Sequence, residues 1–457
     1  MSPLWTSTEI AAATGGTASA PFDVTGVAFD SREVGSGDLF IALAGDVTDG
    51  HQFLDGAFAK GAAGAIISSP CNFPHIRVEH TSEALNALGV AARWRTTAKA
   101  VGVTGSVGKT GTKEALAAAL ARSNCGPVHR SVKSYNNHTG VPLSLARMPA
   151  DTAYGVFEMG MNHAGELAAL TQLVRPHVAL ITAIAAAHIE FFDSIEGIAD
   201  AKAEIFQGLE PGGTAIIPFD SPHRDRLVGH AQSYASRIMT FGRGDGADIR
   251  AIEAIKVDAG TVLTVALLDA ELSFTLSQPG DHWVSNALAV IAAVSALGGD
   301  LAAAGLALAD FEGLAGRGAQ HSIRIGDGAG LLIDESYNAN PTSMAATLAV
   351  LGAVAGLRRI AVLGAMRELG ADSDALHAGL AEPIIAAGVD LALLVGSGME
   401  PLAKSLEGRV NFAHVADAAS AQAMLFKLTQ PGDAILIKGS NAIGLSQIVV
   451  ALTSGLS

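Results

Sequence analysis

Aromatic residues are scarce in this chain: Phe, Trp and Tyr together make up 5% of 457 residues. With so few rings, alanine, valine and leucine must build the core. Charged residues are also few, 16% against 49% hydrophobic, and that balance excludes wholesale disorder. Basic residues are outnumbered, 29 against 44 acidic, giving a net charge of −15. A nucleic-acid backbone is thereby excluded as the main partner, although local lysines and backbone amides can still hold a small anion. Only two cysteines occur, Cys71 and Cys125, far apart and in no C-x-x-C pair. That excludes a disulfide framework or a cysteine-rich zinc site and suits a reducing compartment. The opening "MSPLWTSTEI" lacks the basic region and apolar run of a signal peptide. No apolar run reaches the roughly 18 residues of a membrane span; residues 283–299 come nearest but contain Ser285 and Asn286. A cytoplasmic protein, not embedded in a membrane, is the expectation.

What is present is an α/β pattern long enough for roughly three domains. Up to residue 97 the chain reads as a small α/β unit, in which "GAAGAIIS" is a buried strand and "SEALNALGVAARWRTTA" an amphipathic helix. From residue 98, "AVGVTG", "YGVFEMG", "HVALITAI" and "GTAIIPF" are strand-like runs with helical patterns between them. Strands alternating with helices predict a parallel sheet covered on both faces. Residues 247–277 alternate as antiparallel hairpins do, and "NALAVIAAVSALG" is a buried alanine-rich helix. From residue 314 the pattern restarts with "GLLIDESY", "RRIAVLGAM", "VDLALLVG" and "GDAILIKGS", a second, smaller doubly wound sheet. The expected units are therefore residues 1–97, 98–313 and 314–457.

The densest chemical signal is "VGVTGSVGKTGTKEAL". The common phosphate loop is G-x-x-x-x-G-K-[ST]; here its first glycine is replaced by Val103. The context still fits a nucleotide. The turn follows a strand and opens a helix, whose free N–H groups and positive dipole end attract anions. Lys109 would reach terminal phosphates and Thr110 would ligate magnesium. Glu158 ends one strand, and His188 and Glu190 follow the next, at the sheet edge where ligands bind. On the residues alone, Glu158 is either a strand-end carboxylate facing water or a metal ligand, and His188 either structural or a ligand. Lys202, in "GIADAKAEIF", reads as a solvated lysine or an i,i+4 partner of an acid, with Ile198, Ile205 and Phe206 facing inward.

"TGSVGKT", "SYNNHTGVPLSL", "EMGMNHAGE", "AAAHIEFF", "AKAEIF", "GDHWVSNALA", "DESYNANPTSM" and "GAMRELG" occur in this order over nearly the whole chain. Together they resemble the Mur ligase family, ATP-dependent amide-forming enzymes of peptidoglycan precursor synthesis in cell-wall biogenesis. The last five blocks are most similar to the branch that joins D-alanyl-D-alanine to UDP-N-acetylmuramoyl-tripeptide. The rivals are a sister ligase or a folylpolyglutamate synthase adding a single amino acid, and, from another class, a nucleotide-dependent switch.

The resemblance implies three domains: an N-terminal one for the UDP end of the substrate, a central P-loop ATPase-type sheet, and a C-terminal Rossmann-like domain closing over the site. A monomer is expected. It implies ATP contacts from Thr104, Gly105, Ser106, Val107, Gly108, Lys109 and Thr110, then from Asn286 at adenine, Arg317 near the phosphates, and Asp334, Tyr337 and Asn338. It implies substrate contacts from Ser31 and Arg32, beside Asp30, and from Asn136, Asn137 and Asn340. Thr110, Glu158, His188 and Lys202 would hold two Mg2+ ions, with Lys202 carbamylated so that an ammonium becomes a carboxylate. Lys109, His188 and Lys202 would be the catalytic set. Trp283, Ala365 and Asn441 depart from the family's usual asparagine, aspartate and basic residue, and no role is assigned to them.

Overall fold

The computed structural model describes residues 3–45, 48–257, 259–354 and 358–455. Three larger sheets follow one another along the chain. The first has five strands in the order Thr17–Ala18, His75–Arg77, Gly64–Ile67, Asp38–Ile41 and Gly26–Ala28. The helix Thr81–Trp94 packs on it through Ala84, Leu85, Leu88 and Ala92, the three-to-four spacing that puts apolar groups on one helix face.

The second sheet has nine strands. Lys99–Thr104 lies between Tyr154–Glu158 and Val178–Ile181, parallel to both. Thr214–Pro218 and Arg237–Gly242 continue the parallel run. The expected hairpins are there as Ile249–Val257, Gly260–Ala266 and Glu271–Leu276, paired antiparallel. Register matters for the site. Val103 pairs with Glu158, and Thr104 with Ile181. The carboxyl ends of three neighbouring strands thus meet at one edge, where crossovers leave to either side and open a crevice.

Both faces of this sheet are covered. The helices Lys109–Arg122, Asp281–Leu297 and Leu301–Ala309 pack on one face; Glu166–Val174 and Ile195–Ala203 pack on the other. Alanine does much of this work: Ala287, Ala289, Ala292 and Ala293 are all fully buried. Short side chains let helices approach closely, which compensates for the shortage of rings.

The third sheet has six strands in the order Ala319–Ile325, Gly328–Glu335, Ala434–Lys438, Arg359–Gly364, Leu391–Val395 and Phe412–Val415. Only its first pair is antiparallel. The chain leaves Gly328–Glu335 through residues 336–340 and enters the helix Pro341–Gly352. Asn340 caps that helix, its side chain accepting from Ser343 N at 2.9 Å, and Pro341 opens it, the preferred chemistry for a helix start.

Candidate functional site

The loop 104–110 is built from two glycines that no other residue could replace cheaply. Gly105 has φ +149° and Gly108 φ +84°. A Cβ at Gly105 would sit 2.0 Å from Thr182 Oγ1, and one at Gly108 2.6 Å from Asn286 Oδ1. The next strand's continuation holds the turn from outside. Ser106 N donates to Ala183 O at 2.8 Å, Ser106 Oγ to Ala185 O at 2.9 Å, and Thr182 Oγ1 to Val107 O at 2.5 Å. The helix Lys109–Arg122 starts directly after Gly108 with no side-chain cap, so its first N–H groups remain for an anion. Lys109 Nζ donates to Gly105 O at 2.7 Å and curls over the loop. Burial pulls the Lys109 amine below its usual range, with Arg317 adding to the effect and Glu158 opposing it.

Glu158 is 1% exposed. Thr110 Oγ1 donates to its Oε2 at 2.8 Å and Asn136 Nδ2 to its Oε1 at 2.7 Å. Lys113, fully buried, brings its Nζ within 3.9 Å of the same carboxylate. A hydroxyl and a carboxylate side by side are hard oxygen donors, the set magnesium prefers. His188 faces the same cleft from the other side, in a left-handed turn with φ +59°. Its Nδ1 pairs with Glu368, which is also left-handed, at φ +61°. Burial, Lys109 and Lys202 hold the His188 imidazole below its usual range, and Glu368 opposes them. Among the described residues, no three His, Cys, Asp or Glu side chains cluster as metal ligands.

Lys202 overturns the solvated reading of its helix. It is 1% exposed, on the buried face of Ile195–Ala203 with Ile198 and Ala199. Burial, and then the charge of Lys109, push its amine well below the usual lysine range. No carboxylate pairs with it among the described residues. Burial without a counter-ion disfavours the charged form of such an amine. Lys202 stands four residues after buried Ile198, on the same helical stripe, so the helical period itself points it inward.

The C-terminal sheet supplies the opposite wall of the cleft. Arg317 projects from a turn in which Asp334 Oδ2 accepts from Gly316 N at 2.6 Å and Asp334 O from Gly318 N at 2.8 Å. Arg317 Nη2 donates to Ser134 Oγ at 2.9 Å, and its guanidinium lies 4.0 Å from the centre of the Tyr337 ring. A cleft of about 330 Å³ runs between this wall and the loop. Ser106, Val107, Gly108, Lys109, Asn136, Glu158, His188, Asn286, Arg317, Tyr337, Asn338 and Asn340 all line it.

Other expected residues stand behind or away from that lining. Thr104 and Gly105 open the loop without lining the cleft; Thr110 reaches the site through Glu158. Asp334 is buried and holds the Arg317 turn. Asn137 is spent on its own helix start, its Oδ1 accepting from Gly140 N at 2.9 Å. Ser31 and Arg32 lie in the first unit, where Arg32 is 86% exposed and pairs with Asp30 at 2.7 Å. Sequence reasoning missed Ser134, Lys113 and Lys438. Buried Lys438 donates to Asn338 O at 2.9 Å and pairs with Glu335 at 3.3 Å, bracing the 335–340 segment. Only tertiary contact reveals such lysines. Trp283 also joins the wall, packed against Gly111 and, at 5.4 Å between rings, Phe311.

Three family descriptions match the chain: "Mur ligase family, catalytic domain" over residues 23–122, "Mur ligase middle domain" over 103–294, and "Mur ligase, glutamate ligase domain" over 323–441. The UDP-N-acetylmuramoyl-tripeptide–D-alanyl-D-alanine ligase of Escherichia coli strain K12 is 36% identical over 429 residues, covering 93% of each chain. The crystal structure of MurF from Acinetobacter baumannii superposes with a TM-score of 0.85 at 32% identity, covering 98% of this chain and 99% of that one. MurF ligase from Thermotoga maritima in complex with ADP gives a TM-score of 0.78 at 26% identity, covering 94% and 97%. Carrying the family's loop, its order of blocks and its three-sheet architecture along nearly its whole length, the chain belongs to the Mur ligase family.

Proposed function

We propose that this chain is an ATP-dependent ligase that joins D-alanyl-D-alanine to UDP-N-acetylmuramoyl-tripeptide. The observation that carries the reading is the convergence, in one cleft, of a phosphate loop, Glu158 and His188 with Arg317 and the 337–340 segment of another sheet. A binding module or switch has no need of that second wall. The three units, with boundaries near residues 97 and 314, then divide the labour: the first takes the UDP end at Ser31 and Arg32, the second ATP, the third closes over both.

A carboxylate does not condense with an amine in water unaided. In the proposed reaction a terminal carboxylate oxygen of the tripeptide attacks the γ-phosphorus of ATP, and ADP leaves with the electrons of the broken P–O bond. The dipeptide's amine attacks the acyl carbon, inorganic phosphate departs with the C–O electrons, and the amine gives up a proton. Both steps gather negative charge on oxygen. Lys109, the free amides after Gly108 and Arg317 would neutralise it. Thr110, Glu158, His188 and a carbamylated Lys202 would hold two magnesium ions. When bound, these supply further positive charge to the phosphate oxygens. Asn286 would meet the base, and Tyr337 and Asn338 the nucleotide from the far wall, with Asp334 bracing the Arg317 turn behind them. Closing the cleft keeps water from the acyl phosphate.

Amide formation with purified protein tests this reading, with D-alanine, D-alanyl-D-alanine and a diamino acid offered separately. Phosphate release should require both the UDP-tripeptide and D-alanyl-D-alanine. ATP turnover with no acceptor present would sink the ligase reading.

A further inference from the structure

Residues 133–136 follow the short strand Val128–Arg130 and run past the phosphate loop. Their side chains alternate between two destinations. Lys133 Nζ and Tyr135 OH both donate to Glu33 of the first unit, the tyrosine at 2.7 Å. Ser134 Oγ accepts from Arg317 at 2.9 Å and lies 3.5 Å from Thr110 Oγ1; Asn136 Nδ2 donates to Glu158 at 2.7 Å. Neither Lys133 nor Tyr135 lines the nucleotide cleft, and nor does Glu33; Ser134 and Asn136 do.

The segment is held taut between these ends. Lys133 adopts a left-handed backbone, φ +53°, which a lysine keeps only when its surroundings compel it. Buried Lys113 donates to Ser131 O at 2.7 Å and Lys133 O at 2.8 Å, gripping the segment from below. The Tyr135 ring packs on Phe29 at 5.4 Å, and Gly140 leaves no room for a Cβ beside the Tyr135 backbone, 2.5 Å away. Glu33 directly follows Arg32, in the stretch assigned to the UDP end.

From this alternation we infer that Glu33, Lys133 and Tyr135 are positioning residues: they anchor the 133–136 strap so that Ser134 and Asn136 meet Arg317, Thr110 and Glu158. Through this strap the first unit sets the geometry of the phosphate and metal end without touching it. The inference rests on the proposed nucleotide cleft and adds how the first unit reaches it.

MgADP binding, measured by calorimetry without turnover, tests it on the full chain. Glu33→Gln and the milder Tyr135→Phe should each weaken MgADP about three- to tenfold, since the first removes the charge that strengthens the anchor's hydrogen bonds, the second removes one of those bonds, and part of the effect reaches the cleft. Combined with Asn136→Ala, Glu33→Gln should weaken binding by less than the product of the two single effects. MgADP affinities within 1.5-fold of the parent, or strictly multiplicative effects, reduce the strap to a joint between units and overturn the inference. Thermal unfolding of each variant separates this from general loss of structure, and a Tyr135→Phe protein that melts like the parent but binds more weakly supports the strap. Parent protein that binds no MgADP overturns the ligase reading and the strap together, whereas normal parent binding with unchanged variants overturns the strap alone.

Discussion

Single residues here take their meaning from burial. Lys202 has an ordinary composition around it, yet it is 1% exposed and without an acidic partner among the described residues. If it is carbamylated, Lys202→Ala should lose activity by orders of magnitude and regain part of it when short carboxylic acids are added to the assay. Full activity in that variant would return Lys202 to a packing role. His129 is half-buried. Its Nε2 meets Ser144 O at 2.7 Å and its ring lies 5.9 Å from Phe157. Burial, with Arg147 and Arg130 adding to it, lowers its pKa from 6.5 to about 4, against the pull of the Ser144 carbonyl. Protons then bind the unfolded chain more tightly than the folded one. Its contribution is complete above about pH 6.5 and is lost as the pH falls toward 4, by roughly 3 kcal/mol. His129→Gln should flatten acid denaturation in that window relative to the parent; an equally steep profile would remove His129 from the account.

At the scale of elements, the loop between Lys99–Thr104 and Lys109–Arg122 is where local sequence and tertiary packing agree. The missing glycine at Val103 is explained by the register: Val103 is a buried strand residue paired with Glu158, so the turn begins later and is shorter. Gly108 is the more demanding position. An alanine there adopts a left-handed backbone at roughly 1–2 kcal/mol, and its Cβ meets Asn286 Oδ1. Gly108→Ala should lower the melting temperature by a few degrees and weaken ADP at least tenfold; ADP affinity equal to the parent's would contradict the placement of the nucleotide at this turn. Strands and helices of this part were legible because their periods are clean. The lysines were not: Lys113, Lys202 and Lys438 sit on helix and strand positions whose burial depends on what another element brings against them.

Across the whole molecule, the proposed substrate is read at two ends that do not touch. Arg32 stands in the first unit, exposed and paired with Asp30, while the nucleotide cleft lies between the second and third sheets. Arg32→Ala should raise the KM for the UDP substrate about tenfold, the loss of a charge-assisted contact, and leave the KM for ATP nearly unchanged. Equal rises in both would mean that Arg32 acts on the fold rather than on the substrate. The pairing of His188 with Glu368 also belongs to this scale, since it ties the second unit to the third.

The α/β class, the restart of the pattern after residue 314, the phosphate turn and the family are all legible along the chain. These depend on local periodicity, on glycine at fixed offsets and on the order of short blocks, all properties of neighbours along the chain. Packing between elements is what buries Lys202, turns Asp334 to the backbone rather than the cleft, and brings Ser134 and Asn136 to the site while Lys133 and Tyr135 turn away from it. The reason is physical. Burial and hydrogen-bond partners are set by whichever elements pack together, as Glu33 does for Tyr135 and Arg317 for Ser134, and no period in the chain records which of them arrives.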